Sequence, residues 1–258
     1  MEDTILRLDS VSKRFGGLKA LSDVTMNIPR GKIISLIGPN GAGKTTLLNA
    51  ITRQFPLSDG QIFFEDERID QIPPHKVAEK GMGRTFQIVN LPQKLTVLEN
   101  VSIGAHSRSR AGILSAIFRT PAMRAEEQGI LEKAMDVIQL FELEDHAHDI
   151  TGHLPLGSQR VVEMARAMMC DPKIIFLDEV TTGLNLKERS RVINAIHKIH
   201  EQGTTVFMIA HDMAFVMDLS DRIFVLYFGK NLAEGQPDEI MKNQEVINVY
   251  LGKTNANS

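Results

Sequence analysis

Tryptophan is absent from these 258 residues, tyrosine occurs twice and cysteine once. A lone Cys170 excludes an intramolecular disulfide and a four-cysteine zinc site. Its setting, Met168-Met169-Cys170, predicts a small apolar filler in a buried helix rather than a reactive thiol. No apolar run approaches the roughly 18 residues of a membrane span, so any transport role needs a partner that supplies the pore. The opening Met1-Glu2-Asp3-Thr4 lacks the positive start and apolar stretch of a secretory signal, and a cytoplasmic setting is expected. Charge of one sign is lacking too. With 29 Lys+Arg against 32 Asp+Glu, the net charge of −3 gives no general pull toward nucleic acid, and none is expected as a partner.

What is present is ordinary for a globular chain, 43% hydrophobic and 24% charged residues, with length for one large domain or two intimate lobes. Thr4 to Ile28 reads as strands broken at Gly16-Gly17, with a further turn at Pro29-Arg30-Gly31. Lys32–Ile37 is a short apolar strand, Lys44 to about Arg53 a helix, and Gln61–Glu65 and Gly83–Gln87 further strands. From about Val97 to Met169 the texture turns helical, with Leu131, Ala134, Met135, Ile138 and Phe141 forming one apolar face. Lys173–Leu177, Thr204–Ala210 and Arg222–Phe228 are apolar runs of the kind buried in a parallel sheet. Between them Leu186–Gln202 is a helix capped by Asn185 and ended by Gly203. The expectation is an α/β nucleotide-binding core interrupted by a helical insert, with a frayed polar end at Lys253–Ser258.

Two motifs carry the chemistry. Gly38-Pro39-Asn40-Gly41-Ala42-Gly43-Lys44-Thr45 matches G-x-x-x-x-G-K-[ST], and Thr46 continues it into the helix. Its glycines let successive backbone N–H groups face one anion, and the following helix adds its positive end. Lys44 is expected on the β- and γ-phosphates of ATP and the Thr45 hydroxyl on Mg²⁺. Downstream, Ile174-Ile175-Phe176-Leu177-Asp178-Glu179 is an apolar strand ending in two carboxylates. Asp178 is the expected magnesium ligand, and Glu179 the group that orients or deprotonates the attacking water.

The ordered set around these motifs resembles the ABC ATPases over essentially the whole chain. Phe15 stands where the family's adenine-stacking aromatic stands. Gln87 matches its Q-loop glutamine, Leu154-Pro155-Leu156-Gly157-Ser158-Gln159-Arg160 its signature, Thr182-Gly183-Leu184-Asn185 its D-loop, and His211 its switch histidine. The resemblance implies a P-loop NTPase fold with a mainly parallel sheet, an N-terminal antiparallel β subdomain and an inserted α-helical subdomain. It implies one ABC ATPase domain over 1–258, with a catalytic core in 1–90 plus 170–258 and a helical subdomain in 91–169. Two ATPase subunits are then expected head to tail, with Gly157 and Ser158 of one facing the ATP of the other. Gln87 is expected at the γ-phosphate or Mg²⁺, and His211 at the γ-phosphate. Transmembrane permease subunits and a periplasmic binding protein complete the expected system, with this chain peripheral on the cytoplasmic face of the inner membrane.

Several positions depart from the family's commonest pattern. Pro155, Leu156 and Ser158 replace residues of Leu-Ser-Gly-Gly-Gln, Val180 stands for the usual proline, and Asn185 for the D-loop aspartate. A working but slow ATPase is expected. Arg84-Thr85-Phe86-Gln87, Leu95–Val101, Arg119-Thr120-Pro121 and Tyr250-Leu251-Gly252 resemble the branched-chain amino acid importers, in particular the longer of their two ATPase subunits. Lipopolysaccharide export is the nearest alternative. Soluble ABC ATPases, a nucleotide kinase and a nucleotide-gated binding module are the more distant ones. The basic and apolar insert from Ala105 to Glu127 reads either as a solvated hairpin or as a contact near anionic lipid or the membrane subunit. His146, His148 and His153 lack carboxylate or cysteine support at ligand spacing and read as ordinary loop histidines.

Overall fold

Alternation of apolar and polar residues makes the first two strands. In this computed structural model, which describes residues 3–85, 89–107 and 121–251, β1 (Thr4–Phe15) and β2 (Leu18–Pro29) form an antiparallel hairpin. Val24, Met26 and Ile28 of β2 point inward while Asp23, Thr25 and Asn27 stay exposed. After β3 (Ile33–Ile37) and α1 (Lys44–Ile51), β4 (Asp59–Phe64) pairs with the other edge of β1, and β5 (Glu67–Arg68) completes a four-stranded sheet ordered β2-β1-β4-β5.

A second sheet carries the site. It comprises β3, β6 (Met82–Arg84), which follows α2 (Pro74–Glu79), β7 (Ile174–Asp178), β8 (Thr205–Ile209), β9 (Arg222–Tyr227) and β10 (Lys230–Gly235), in the order β10-β9-β3-β8-β7-β6. All neighbours are parallel except β9 and β10. Its central strands are buried on both faces, so period 2 divides them between two cores. Ile34, Leu36, Ile174, Phe176, Phe207, Ile209, Phe224 and Leu226 join the core shared with α1 and the antiparallel sheet. Ile33, Ile37, Ile175, Leu177, Val206, Met208, Ile223 and Val225 join the core under the other helices. Each fully buried side chain of this size contributes about 1.5–3 kcal/mol.

Between β6 and β7 the described residues form helices and single 3-10 turns, with one isolated bridge between Thr96 and Ile150: α3 (Val97–Ile103), α4 (Pro121–Leu140) and α5 (Leu156–Met168). Thr96 and Glu99 close a reciprocal capping box on α3. Past β7, α6 (Leu186–Glu201) starts with the same device, Asn185 with Glu188. Next come α7 (Met213–Leu219), capped by Asp212, and, after β10, α8 (Pro237–Lys242) and α9 (Gln244–Leu251). No helix among the described residues is long and apolar enough to cross a membrane.

Three local expectations need correction. Leu131 is 42% exposed, because the face of α4 that packs on the core runs through Ile130, Ala134, Val137 and Ile138, and Leu131 stands beside it. Cys170 is not inside a helix: α5 stops at Met168, and the half-buried thiol donates to the Gly104 carbonyl at 3.0 Å. The strand expected at Gly83–Gln87 is Met82–Arg84; Gln87, most of the Ala105–Glu127 insert and the Lys253–Ser258 tail lie outside the described residues.

Candidate nucleotide site

β3 delivers the chain to the phosphate loop, and the loop's shape explains two of its glycines. Gly38 has φ +151°, and a Cβ there would lie 2.2 Å from the Leu226 carbonyl oxygen. Gly43 has φ +102°, and a Cβ would meet the Ala20 carbonyl oxygen at 2.8 Å. Only glycine accepts both the left-handed backbone and the contact. The β9–β10 turn buttresses the loop, with the Gly229 N–H donating to Ala42 O at 2.9 Å and the Ser22 N–H donating to Gly229 O at 2.8 Å.

Lys44 opens α1 as a buried side chain whose Nζ donates to Gly38 O at 2.7 Å and Pro39 O at 3.1 Å. Burial holds its pKa below the ordinary lysine value, against the opposing pull of Glu179 and Asp178. Asp178 ends β7 almost wholly buried, and burial raises its pKa; Arg84 is the foremost group opposing that rise. Asp178 Oδ1 has no hydrogen-bond partner among the described residues.

Glu179 follows with φ +50°, a left-handed backbone uncommon for a side chain of this size. That turn aims its carboxylate at the loop at the end of β8, where His211 Nε2 lies 2.5 Å from Glu179 Oε1. Both line a cleft of 570 Å³ together with Asn40–Thr46, Leu18, Lys19, Ala20 and Phe228. The structure therefore brings together Asn40, Gly41, Ala42, Gly43, Lys44, Thr45, Thr46, Glu179 and His211, placed at strand ends and one helix start, where open α/β sheets bind ligands.

Other expected residues sit differently. Pro39 lines an adjoining recess of 290 Å³ with Tyr227, Phe228, Asn248 and Val249. Phe15 is at the hairpin tip, 46% exposed, edge-on to Phe55 at 5.2 Å, with Lys13 Nζ 4.9 Å from its ring centre. It is near Leu18, its partner across the turn, but is not part of the cleft wall. Gly157 and Ser158 pack against α6 within the chain. A Cβ on Gly157 would lie 2.6 Å from Glu188 Cβ, and the buried Ser158 hydroxyl accepts from Arg191.

Leu18, Lys19, Ala20 and Phe228 line the cleft without belonging to any motif. Only the Phe228-Gly229 turn left a trace in sequence, as the end of an apolar run. The pKa of the Tyr250 hydroxyl of α9 is raised to about 12 by burial of that group, although the residue as a whole is 36% exposed; the Gly38 backbone hydrogen-bonds to it and opposes the rise.

Among the described residues no three His, Cys, Asp or Glu side chains form a ready metal cage. Magnesium does not require one, since it takes one or two carboxylates, substrate phosphates and waters. The Thr45 hydroxyl and the unpartnered Asp178 Oδ1 are hard oxygen donors, and this set fits that ion.

Known proteins place this geometry in context. A family model described as ABC transporter matches residues 21–182, and one described as branched-chain amino acid ATP-binding cassette transporter matches 230–254. The high-affinity branched-chain amino acid transport ATP-binding protein BraF of Pseudomonas aeruginosa is 40% identical over 98% of this chain and 100% of its own. A crystal structure of a nucleotide-free ATP-binding cassette from an ABC transporter superposes with TM-score 0.83 at 30% identity, covering 96% of this chain and 98% of that one. A dimeric cassette in a post-hydrolysis state, bound to ADP and Pi, superposes with TM-score 0.74 at 26% identity over 90% of this chain and 98% of its own.

Proposed function

The chain belongs to the ABC transporter family of ATP-binding proteins, and from that premise we propose that it drives import of branched-chain amino acids through a separate membrane permease. ATP binding and hydrolysis are its activity. The cargo is inferred chiefly from one observation: the likeness to BraF runs the length of the chain and extends into the 230–254 segment. A second ATPase subunit, a permease and a periplasmic binding protein are the proposed partners, with this subunit on the cytoplasmic face of the membrane. The dimeric state of a similar cassette supports the ATPase pairing. We read 1–90 plus 170–258 as the catalytic core and 91–169 as the helical subdomain.

The residues divide the work as follows. Backbone N–H groups of Gly41–Thr46 and the start of α1 hold the triphosphate. Lys44, now donating to two loop carbonyls, turns its desolvated charge to the β- and γ-phosphates. Thr45 and Asp178 would hold Mg²⁺, which when bound would neutralise charge developing on the phosphates. Glu179 accepts the proton of the attacking water as the new P–O bond forms and the bond to the ADP oxygen breaks. His211 keeps that carboxylate aimed. Gln87 is proposed at the γ-phosphate or the ion, Phe15 under the adenine, and Gly157 with Ser158 at the partner's ATP.

Uptake of labelled leucine by cells whose own copy is deleted tests the cargo. Restoration by the parent and not by Glu179→Gln supports it. Equal uptake with and without the chain sinks it.

A further inference from the structure

Arg84 ends β6 beside β7, its backbone in register with Phe176. Period 2 puts Phe176 and Asp178 on one face of β7, the face covered by α1. The Arg84 guanidinium lies in that layer, 12% exposed. Its Nη1 donates to the Thr52 hydroxyl at 2.7 Å, and Nη2 donates to Asn49 Oδ1 at 2.8 Å. The same Nη2 is 3.8 Å from Asp178 Oδ2. One planar group thus touches both the C-terminal turn of the phosphate-loop helix and the carboxylate at the end of β7. Asp178 Oδ1 is a buried atom left without a hydrogen-bond partner among the described residues.

We infer that Arg84 is a positioning residue for the nucleotide–metal site: it fixes the Asp178 carboxylate relative to α1, in the orientation in which that carboxylate would meet the ion. This rests on the reading of Asp178 as a metal ligand and adds the group that orients it. The geometry suits arginine, whose rigid fork reaches several acceptors at once. Without it, Lys44 and Arg160 are the cations left acting electrostatically on the buried carboxylate. Outer partners of metal ligands act in this way, and their loss weakens metal binding by about 10–100-fold.

The test uses the full chain with a non-hydrolysable ATP analogue and Mn²⁺ as the probe, followed by electron paramagnetic resonance. Arg84→Met should weaken Mn²⁺ binding by about tenfold, while analogue affinity measured in EDTA stays within about twofold. Arg84→Lys, which keeps the charge and not the fork, should recover only part of the loss. Asn49→Ala removes one anchor of the guanidinium and should give a smaller loss in the same direction; it decides the matter if Arg84→Met does not fold. Unchanged Mn²⁺ affinity in these variants, or full recovery by lysine, overturns the inference. Asp178→Asn runs alongside. If it too leaves Mn²⁺ affinity unchanged, the metal-ligand reading fails; if it alone weakens binding, only the role of Arg84 fails.

Discussion

His211 Nε2 lies 2.5 Å from Glu179 Oε1, joining the loops that follow β8 and β7 at the wall of the nucleotide cleft. The contact spans 32 positions of sequence and exists because β7 and β8 are parallel neighbours, with Asp178 in register with Ile209. Glu179's own N–H donates to Ile209 O at 3.0 Å, which locks the two strand ends together.

If that contact orients the carboxylate, His211→Ala should lower kcat by about 10–100-fold and change the KM for ATP much less. Phosphate release checks this. In a Glu179→Gln background the same change should cost little more, because the two side chains act as a unit.

The phosphate loop tolerates no side chain at Gly38. Gly38→Ala combines φ +151° with a Cβ 2.2 Å from a backbone carbonyl oxygen, and should destabilise the fold by about 2–4 kcal/mol. Gly41→Ala, with nothing within 4 Å, carries only the cost of φ +80° and should lose about 1 kcal/mol. Urea denaturation of the pair separates contact from conformation.

Tyr250 offers a test at high pH. Its folded pKa is raised from 10.0 to about 12, chiefly by burial. A raised pKa means the contribution is whole below the unfolded value and is lost as pH rises through the folded one. Stability should therefore fall more steeply for the parent than for Tyr250→Phe between pH 10.0 and about 12, as read by chemical denaturation.

Acid should act through Asp212, which caps α7. Its pKa is lowered, first by the Arg189 ion pair and then by the Phe215 N–H. A lowered carboxylate pKa gives stability that is present above the unfolded value of 3.8 and lost as pH falls through the folded one. Asp212→Asn keeps a capping side chain without the charge, so its stability curve should be flatter on the acid side.

The sequence made the parallel strands, the phosphate loop and the α6 cap legible because each has a local cause: an apolar run, a glycine pattern, an Asn185–Glu188 pair. It was silent where the cause is spatial. Nothing near Phe228 says that its turn would pack on Ala42 and Gly43, and nothing near Arg84 says that it would reach Asn49, Thr52 and Asp178. Leu131 misled because helical spacing marks a face without marking where that face meets the core. Nothing near Gly157 in sequence says that Glu188 of α6 would pack so closely on it.

The most direct test of the account is Mg²⁺-dependent ATP hydrolysis by the purified chain beside Lys44→Ala and Glu179→Gln. The account predicts steady turnover on the order of 1 s⁻¹ or slower in the parent. It also predicts loss of more than about a hundredfold in both variants, with ATP still bound by Glu179→Gln. A parent that binds ATP and releases no phosphate even when concentrated, or a Glu179→Gln variant as fast as the parent, would contradict it.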